Sequence, residues 1–244
     1  MTRLYHTRCP KCAKRGNDKS GDNLAVYDDG HVWCFSCGYY EPANPIKKLK
    51  QKEINKPKKE FELPEDTTDI IPHKALKWLN NYFNSKTLPL CYWSESKQYL
   101  LFFLRDENNV PYAYTARYFG DNPKHPKWTT LGINSSTFDF TKPRKDILSN
   151  AVILVEDILS GYKVGHIQTT LTLFGAHVSL ERLAKLLLLG YTTIIFWLDA
   201  DKYKEKILFA KQAQLLGLKT KVIQTELDPK EYNYEQINEF LTTN

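Results

Sequence analysis

The sequence predicts a mixed α+β and α/β protein: a small β module, a linker, and a larger domain whose mostly parallel sheet is flanked by helices. Three observations predict this order. Four of the five cysteines lie before residue 43, seven lysines crowd residues 47–59, and short apolar runs alternate with helical patterns in the second half. With 244 residues and 42% hydrophobic composition, the chain can bury a sizeable core.

Charge and hydropathy limit the classes of function that are expected for this protein. Almost all of the formal net charge of +6 falls in residues 1–64, which favours an anionic partner, most commonly nucleic acid. The longest apolar run, residues 99–104, is far shorter than the ~20 residues of a membrane span. The N-terminus also lacks the apolar stretch of a secretory signal. We therefore expect a cytoplasmic protein with no membrane partner, in a reducing compartment where cysteines bind metal.

Residues 1–43 carry two C-x-x-C pairs separated by 21 residues. Zinc prefers four thiolates in a tetrahedral arrangement, and a segment this short has too small a core to fold without such a site. The spacing therefore predicts a zinc ribbon that holds one structural zinc ion. The predicted ligands are Cys9, Cys12, Cys34 and Cys37.

Between the cysteine pairs, residues 24–28 and 31–35 predict a β-hairpin with a tight turn at residues 29–30. His31 opens the second strand. Three interpretations of it are open: a spare zinc ligand, a side chain that reads a base, or an ordinary surface histidine. The aromatic residues that follow either stack on bases or cover the metal; they are Trp33, Tyr39 and Tyr40.

Residues 44–64 combine many lysines and three prolines with few apolar side chains. Burial in such a segment cannot offset the entropy lost on ordering, so we predict a flexible basic linker. The two flanking parts are then expected to move independently.

Residues 65–147 predict a basic N-terminal lobe of the larger domain. Residues 100–105 and 112–119 form an expected hairpin. The positive charge around its second strand would suit binding of a nucleoside triphosphate and a nucleic-acid strand. The alternative is that these residues form an ordinary solvated basic surface. Its candidate binding residues are Arg117, Lys124 and Lys127.

Residues 148–244 predict a four-stranded parallel sheet. The apolar runs 152–155 and 194–198 have the length of buried strands, and each is followed by a helical pattern, 158–165 and 204–216. The two remaining strands are expected at residues 170–173 and 221–223, with a further helix at 180–189.

Acidic residues follow the two central strands of this predicted sheet. Glu156 ends one, and Asp199 and Asp201 end the other, where an extended backbone would turn both aspartates to one side. Such a carboxylate cluster suits one or two Mg²⁺ ions in phosphoryl transfer. The alternative is that Glu156 and Asp199 are ordinary polar residues that cap the next helices.

In this order the motifs resemble those of phage DNA primases, which join an N-terminal zinc-binding domain to a Toprim RNA-polymerase domain, as in the primase half of T-odd phage primase-helicases. The resemblance rests on C-P-x-C, D-G-H-x-x-C-F-x-C-G, the basic linker, and the Glu156 and Asp199-Ala-Asp201 strand ends. It covers nearly the whole chain.

The resemblance implies roles for individual residues. The Mg²⁺ ligands and catalytic acids would be Glu156, Asp199 and Asp201, with Asp228 of the sequence L-D-P-K-E as a further acid. His31 would lie on the surface that reads a template trinucleotide. The stretch that holds Arg117, Lys124 and Lys127 is similar to the nucleotide- and template-binding segment of the family.

Two positions depart from the family pattern. Asp157 replaces the glycine that follows the Toprim glutamate, and Ser160 replaces the acid four residues after it. No G-x-x-x-x-G-K-[ST] motif occurs among the eleven glycines, which excludes a P-loop ATPase within this sequence.

The sequence thus predicts a DNA primase that makes short RNA primers on single-stranded DNA during phage DNA replication, in the host cytoplasm. Its substrates would be ribonucleoside triphosphates, and its partners a separate replicative helicase and a DNA polymerase. Two rivals stay open: a Toprim metal-dependent nuclease, and a non-catalytic zinc-ribbon protein that binds single-stranded DNA.

Overall fold

The computed structural model describes residues 3–27, 31–41, 62–131, 139–175 and 177–243. The chain divides into two compact units, residues 1–57 and 58–244. Most of the predicted linker and the expected turn at residues 29–30 lie outside the described residues. None of the helices described is both long and apolar enough to cross a membrane.

Unit 1 is an antiparallel sheet with one short helix. The expected hairpin strands are confirmed, and a strand on each side extends them to a sheet of order β1-β2-β3-β4. Its buried centre consists of Cys9, Cys12 and Cys34 with Leu24, so the cysteines themselves form most of the core. The elements are β1 (Arg3–Thr7), α1 (Pro10–Lys14), β2 (Leu24–Tyr27), β3 (Val32–Cys34) and β4 (Tyr40–Glu41).

Unit 2 begins with a five-stranded antiparallel sheet of order β5-β6-β7-β8-β9. The expected hairpin is confirmed as its two longest strands, β7 and β8, and the lone Cys91 is buried in the core beneath it. The elements are β5 (Thr67–Thr68), α2 (His73–Leu79), β6 (Cys91–Ser94), β7 (Tyr99–Arg105), β8 (Pro111–Tyr118) and β9 (Trp128–Leu131).

The second sheet of unit 2 contains all four predicted parallel strands and one more. Its order is β10-β12-β11-β13-β14, and β10 is antiparallel to β12. The prediction of four strands is therefore wrong by one, because β10 has only three residues and no recognisable alternation. The strands are β10 (Asp139–Thr141), β11 (Ala151–Val155), β12 (Thr170–Thr172), β13 (Thr193–Phe196) and β14 (Lys219–Val222).

Helices cover both faces of this sheet, which explains its continuously apolar central strands. Leu183 and Phe209 pack on one face, and Val164 and Ile237 pack on the other. The helices are α3 (Ile158–Gly165), α4 (Leu180–Leu188), α5 (Tyr203–Leu215), a 3₁₀ turn (Pro229–Glu231) and α6 (Tyr234–Thr242).

Helix α3 lies unusually close to the sheet, and this fixes the backbone that leaves β11. A Cβ atom at Gly161 would collide with the side chain of Thr172, and one at Gly165 would collide with Thr141. The hydroxyl of Thr170 donates to the carbonyl of Gly161 at 2.9 Å. The strand end at Glu156 is therefore held by tight packing immediately downstream.

Asp139 joins the two sheets of unit 2. Its Oδ1 accepts a hydrogen bond from the backbone N–H of Arg105 at 3.0 Å, while its side chain is only 2% exposed. Burial raises the pKa of Asp139 from the ordinary 3.8 to about 7. The folded chain therefore binds a proton more tightly than the unfolded chain does.

We expect this carboxyl to make unit 2 less stable as pH rises from about 4 to about 7, the interval between the two pKa values. Asp139→Asn mimics the protonated form, so its free energy of unfolding should exceed that of the wild type by roughly 2–4 kcal/mol above this interval. Below the interval the two should be similar. Denaturant unfolding at a series of pH values measures this difference in unfolding free energy. If the unfolding free energy of both proteins changes with pH by the same slope, the prediction is wrong.

Candidate functional site

The four predicted zinc ligands come together in unit 1. Their sulfur atoms all lie within 4.8 Å of one another, with Cys9 Sγ 3.7 Å from Cys37 Sγ and Cys12 Sγ 3.6 Å from Cys34 Sγ. Three of the four residues are buried. A set of four thiols at these distances matches the ligands of a structural zinc site.

Asp18 braces the first cysteine pair, and the sequence analysis missed it. Its carboxylate, 4% exposed, accepts from the backbone N–H of Cys9 at 2.6 Å and from that of Gly21 at 3.0 Å. Burial opposes ionisation, but these N–H groups lower the pKa of Asp18. An aspartate within a turn rich in Gly, Ser and Asn was the available signal.

One face of the unit 1 sheet carries exposed aromatic side chains. His6, Ala25, Trp33 and Tyr40 are directly opposed across the four strands, so they share a face. Trp33 is 41% exposed and Tyr40 53%. The ring of His31 stacks on Tyr27, with centroids 4.1 Å apart. We call this surface the aromatic face.

The three aromatic residues that the sequence analysis grouped together separate in the structure. Trp33 and Tyr40 belong to the aromatic face, whereas Tyr39 packs against the cysteine cluster and donates a hydrogen bond to Glu41 at 3.2 Å. Tyr39 therefore covers the cysteine cluster, whereas Trp33 and Tyr40 are exposed and stacking on bases stays a prediction for them.

Glu156 and Asp199 lie at the carboxyl ends of two neighbouring parallel strands. Glu156 directly follows β11, and Asp199 comes three residues after β13. The two strands stay paired beyond the end of β13, because the N–H of Trp197 donates to the carbonyl of Leu154 at 3.0 Å. One oxygen of each carboxyl group, Oε2 of Glu156 and Oδ1 of Asp199, is buried with no hydrogen-bond partner among the described residues.

Electrostatics show that these two carboxyl groups share one environment. Burial raises the pKa of Asp199 to about 7, Lys230 opposes the shift, and Glu156 adds to it. Burial is also the main cause that raises the pKa of Glu156, which Lys202 opposes. Buried carboxylate oxygens without a donor are costly, and a hard cation with oxygen ligands removes that cost. The pair therefore fits a Mg²⁺ ion.

Asp201 lies in a turn, whereas the sequence analysis expected an extended backbone that aligns it with Asp199. The chain turns after Asp199, whose carbonyl accepts from the N–H of Lys202 at 3.1 Å. The side chain of Asp201 is 71% exposed, and its carboxylate pairs with the ammonium of Lys202 at 2.6 Å. The expected extended geometry is therefore wrong. Within the described ranges, only the four cysteines bring three or more ligating atoms within 4.8 Å of one another.

The two residues that depart from the primase pattern, Asp157 and Ser160, cap helix α3 together. Oδ1 of Asp157 accepts from the N–H groups of Leu159 and Ser160, at 2.9 and 3.2 Å. The Ser160 hydroxyl donates to Oδ2 of Asp157 at 2.7 Å. These contacts satisfy N–H groups that the helix itself leaves unpaired.

Lys230 lies among the acids, and the sequence analysis did not single it out. Its ammonium contacts Oδ2 of Asp228 at 2.9 Å and Oδ2 of Asp157 at 3.2 Å, and its side chain is 16% exposed. Burial opposes its charge, but Asp157 and Asp228 raise the pKa of Lys230. Oδ1 of Asp228 accepts from the N–H of Ala200 at 3.4 Å, so both oxygens of Asp228 have protein partners.

The candidate phosphate-binding residues belong to the antiparallel sheet. Lys124 and Lys127 are exposed before β9. The guanidinium of Arg117 instead packs among aromatic rings, 4.5 Å from the centroid of Trp78 and 5.7 Å from that of Trp128. Burial lowers the pKa of Arg117. These contacts give Arg117 a packing role in the core next to α2.

Comparison with known proteins gives one sequence match and several structural ones. No protein-family profile matches the chain. The DNA helicase/primase of Enterobacteria phage T3 is 40% identical over 47 residues, which are 19% of this chain and 7% of that protein. The chain therefore matches only a small part of that relative's length.

Among solved structures, the zinc-binding and RNA polymerase domains of the Aquifex aeolicus primase superpose with a TM-score of 0.55 at 12% identity, covering 100% of this chain and 80% of that one. The primase fragment of the bacteriophage T7 primase-helicase gives a TM-score of 0.44 at 15% identity and covers 98% of each chain. The resemblance to primases is therefore confirmed for the fold, and this chain has the fold of the zinc-binding and RNA polymerase domains of a primase.

Proposed function

We propose that the chain is a DNA primase, a nucleotidyltransferase that makes short RNA primers on single-stranded DNA in phage DNA replication. The observation that carries this proposal is the pair of buried oxygens on Glu156 and Asp199 that no described residue hydrogen-bonds, at the strand ends where open α/β sheets bind their ligands. The primase fold around them supports the same reaction class.

The proposed division of labour follows the order of the chain. Residues 1–43 form the zinc ribbon that recognises the template, and residues 44–64 are the basic linker. Residues 65–147 form the basic lobe of the RNA polymerase domain, and residues 148–244 form its Toprim catalytic subdomain. A helicase and a DNA polymerase outside these 244 residues are the proposed partners in replication.

Glu156 and Asp199 would hold Mg²⁺, which when bound supplies positive charge to the phosphates of the substrate. Asp201 is a proposed third ligand, because its carboxylate is exposed and is paired with the flexible side chain of Lys202. Asp228 contributes negative charge beside the site while its own oxygens stay bound to Ala200 and Lys230. These groups orient the substrate and need no covalent nucleophile.

The basic lobe would bind the anionic substrates. Lys124 and Lys127 are exposed and free to reach phosphates of a nucleotide or of the template. Arg117 would act mainly by fixing the strand that leads to them, since its guanidinium is enclosed by aromatic rings. In the proposal all three residues belong to the nucleotide- and template-binding surface, Arg117 as a positioning residue.

The aromatic face of unit 1 would read the template. Exposed aromatic rings stack on unpaired bases, and Trp33 and Tyr40 offer such rings. His31 lies next to them, stacked on Tyr27 and 5.8 Å from the ring centroid of Tyr40. The imidazole adds a hydrogen-bonding group to this surface, which suits it to base recognition.

Trp33→Ala is expected to weaken binding to single-stranded DNA about tenfold, in line with roughly 1–3 kcal/mol for each base stacked on an aromatic side chain. Tyr5→Ala is the matched control, since Tyr5 is 56% exposed and lies opposite Val26, on the other face of the same sheet. Fluorescence anisotropy with a labelled oligonucleotide measures both affinities. Equal losses in the two variants, or no loss in either, would show that the aromatic face does not bind the template.

The function itself is tested with purified protein, Mg²⁺, labelled ribonucleoside triphosphates and a pool of single-stranded DNA templates. We expect short RNA whose sequence depends on the template. Cleavage of the DNA without RNA synthesis would establish the nuclease instead. DNA binding without either reaction would leave a non-catalytic zinc-ribbon protein.

A further inference from the structure

The acids around the proposed cation site fall into two sets with different partners. Glu156 and Asp199 each keep a buried oxygen that has no hydrogen-bond partner in the part of the chain that the structure describes. Asp157 and Asp228 each turn one oxygen to the same ammonium group, that of Lys230, at 3.2 and 2.9 Å. The second set is thus bridged by one ammonium group of the chain.

Lys230 is built into this position rather than resting on the surface. Its side chain is 16% exposed, and it stems from the 3₁₀ turn Pro229–Glu231. That turn is fixed by a capping box, in which Asp228 N–H donates to Glu231 at 3.2 Å. The other partner, Asp157, is fixed as the cap of helix α3. Capping hydrogen bonds therefore position the backbone at both ends of the bridge.

From this geometry we infer that Lys230 takes the place of a second divalent cation, so that the acidic site binds one metal ion and uses the Lys230 ammonium as its other positive charge. The inference rests on the proposed function for the metal site itself and adds the number of ions that it holds. An ammonium and a divalent ion both attract Asp157 and Asp228, and electrostatic repulsion keeps them from occupying one position together.

The inference also gives a reason for one unusual residue, Asp157. Asp157 stands where the primase pattern has glycine, and its added negative charge is balanced by the ammonium of Lys230 at 3.2 Å. Removing that ammonium should leave Asp157 and Asp228 as an uncompensated acidic pair at one end of the site. A metal ion would then be the group able to replace it.

The experiment counts bound Mn²⁺ in the zinc-loaded full chain by electron paramagnetic resonance, which detects the free ion. We expect one Mn²⁺ per wild-type chain and two per Lys230→Met chain. Lys230→Arg keeps the positive charge and should bind one. Lys211→Met is the matched control, because Lys211 is an exposed lysine on helix α5, and it should also bind one.

A double variant locates the additional ion. Lys230→Met combined with Asp157→Asn keeps a side chain able to cap helix α3 but removes one carboxylate of the acidic pair, so the count should return to one. An unchanged count in Lys230→Met overturns the inference. So does a Lys230→Met protein that stays unfolded in circular dichroism even with Mn²⁺ present, because the ion should then replace the missing charge.

Primer synthesis measured on the same samples separates this inference from the proposed function. If the counts change as expected while the wild type makes no RNA, the proposed function fails and the single-ion site stands. If the wild type makes RNA and the counts do not change, the inference about Lys230 fails alone.

Discussion

Asp199→Asn should reduce RNA synthesis by about a hundredfold or more, which is the scale seen when one preorganised electrostatic contact to a reacting group is removed. The reason is the loss of a negative charge from a carboxyl group that would bind the cation, since its buried oxygen has no hydrogen-bond partner within the described ranges. Incorporation of a labelled ribonucleotide on single-stranded DNA measures the effect.

Unfolding would not explain this loss. Burial already raises the pKa of Asp199 to about 7, so a neutral amide suits the site at least as well as the carboxylate does in the absence of metal. Binding of single-stranded DNA should stay unchanged. Asp69→Asn is the control, because Asp69 is exposed near the start of unit 2. Wild-type synthesis by Asp199→Asn would remove this residue from the mechanism.

Removing the zinc ion should unfold unit 1 and leave unit 2 intact. The buried centre of unit 1 consists of three cysteines and Leu24, which is too little apolar surface to hold a fold of this size. Structural zinc contributes about 10–16 kcal/mol to the folding of small domains. The same effect is expected from a chelator and from Cys34→Ser, since Cys34 is 0% exposed within the cluster.

Hydrogen exchange followed by mass spectrometry distinguishes the two units. Peptides from residues 3–41 should lose protection in Cys34→Ser, while peptides from residues 62–243 keep theirs. Cys91→Ala is the control, because Cys91 is buried in the core of unit 2 and is not one of the four clustered cysteines, and it should retain one zinc ion per chain. A Cys34→Ser protein with full zinc content and wild-type protection in unit 1 contradicts the zinc-site assignment.

The sequence alone was enough to predict those parts of the structure that depend on a local pattern of residues. The apolar runs of β11 and β13 predict buried strands because both faces of the parallel sheet are covered by helices. The cysteine spacing predicts a four-thiol cluster because two short knuckles need only a hairpin between them. The strand ends also indicated Glu156 and Asp199, since chain order alone puts them at one edge of the sheet.

The rest depends on contacts between distant parts of the chain or on local turns that pattern does not encode. Lys230 and Asp157 are 73 residues apart, so nothing in either segment indicates their ion pair. The strand β10 has only three residues, too few for a periodic signal. From the sequence, Arg117 is predicted to bind phosphate. Only the packing of α2 and β9 shows that aromatic rings lie against its guanidinium group.

The central claim is that Glu156 and Asp199 hold the metal ion on which RNA synthesis depends. The most direct measurement is a titration of Mn²⁺ into zinc-loaded wild type, Glu156→Gln and Asp199→Asn, with bound ion counted by electron paramagnetic resonance. We predict a bound Mn²⁺ in the wild type that is lost in both variants and kept in Asp69→Asn. Equal binding by all four proteins would contradict the account.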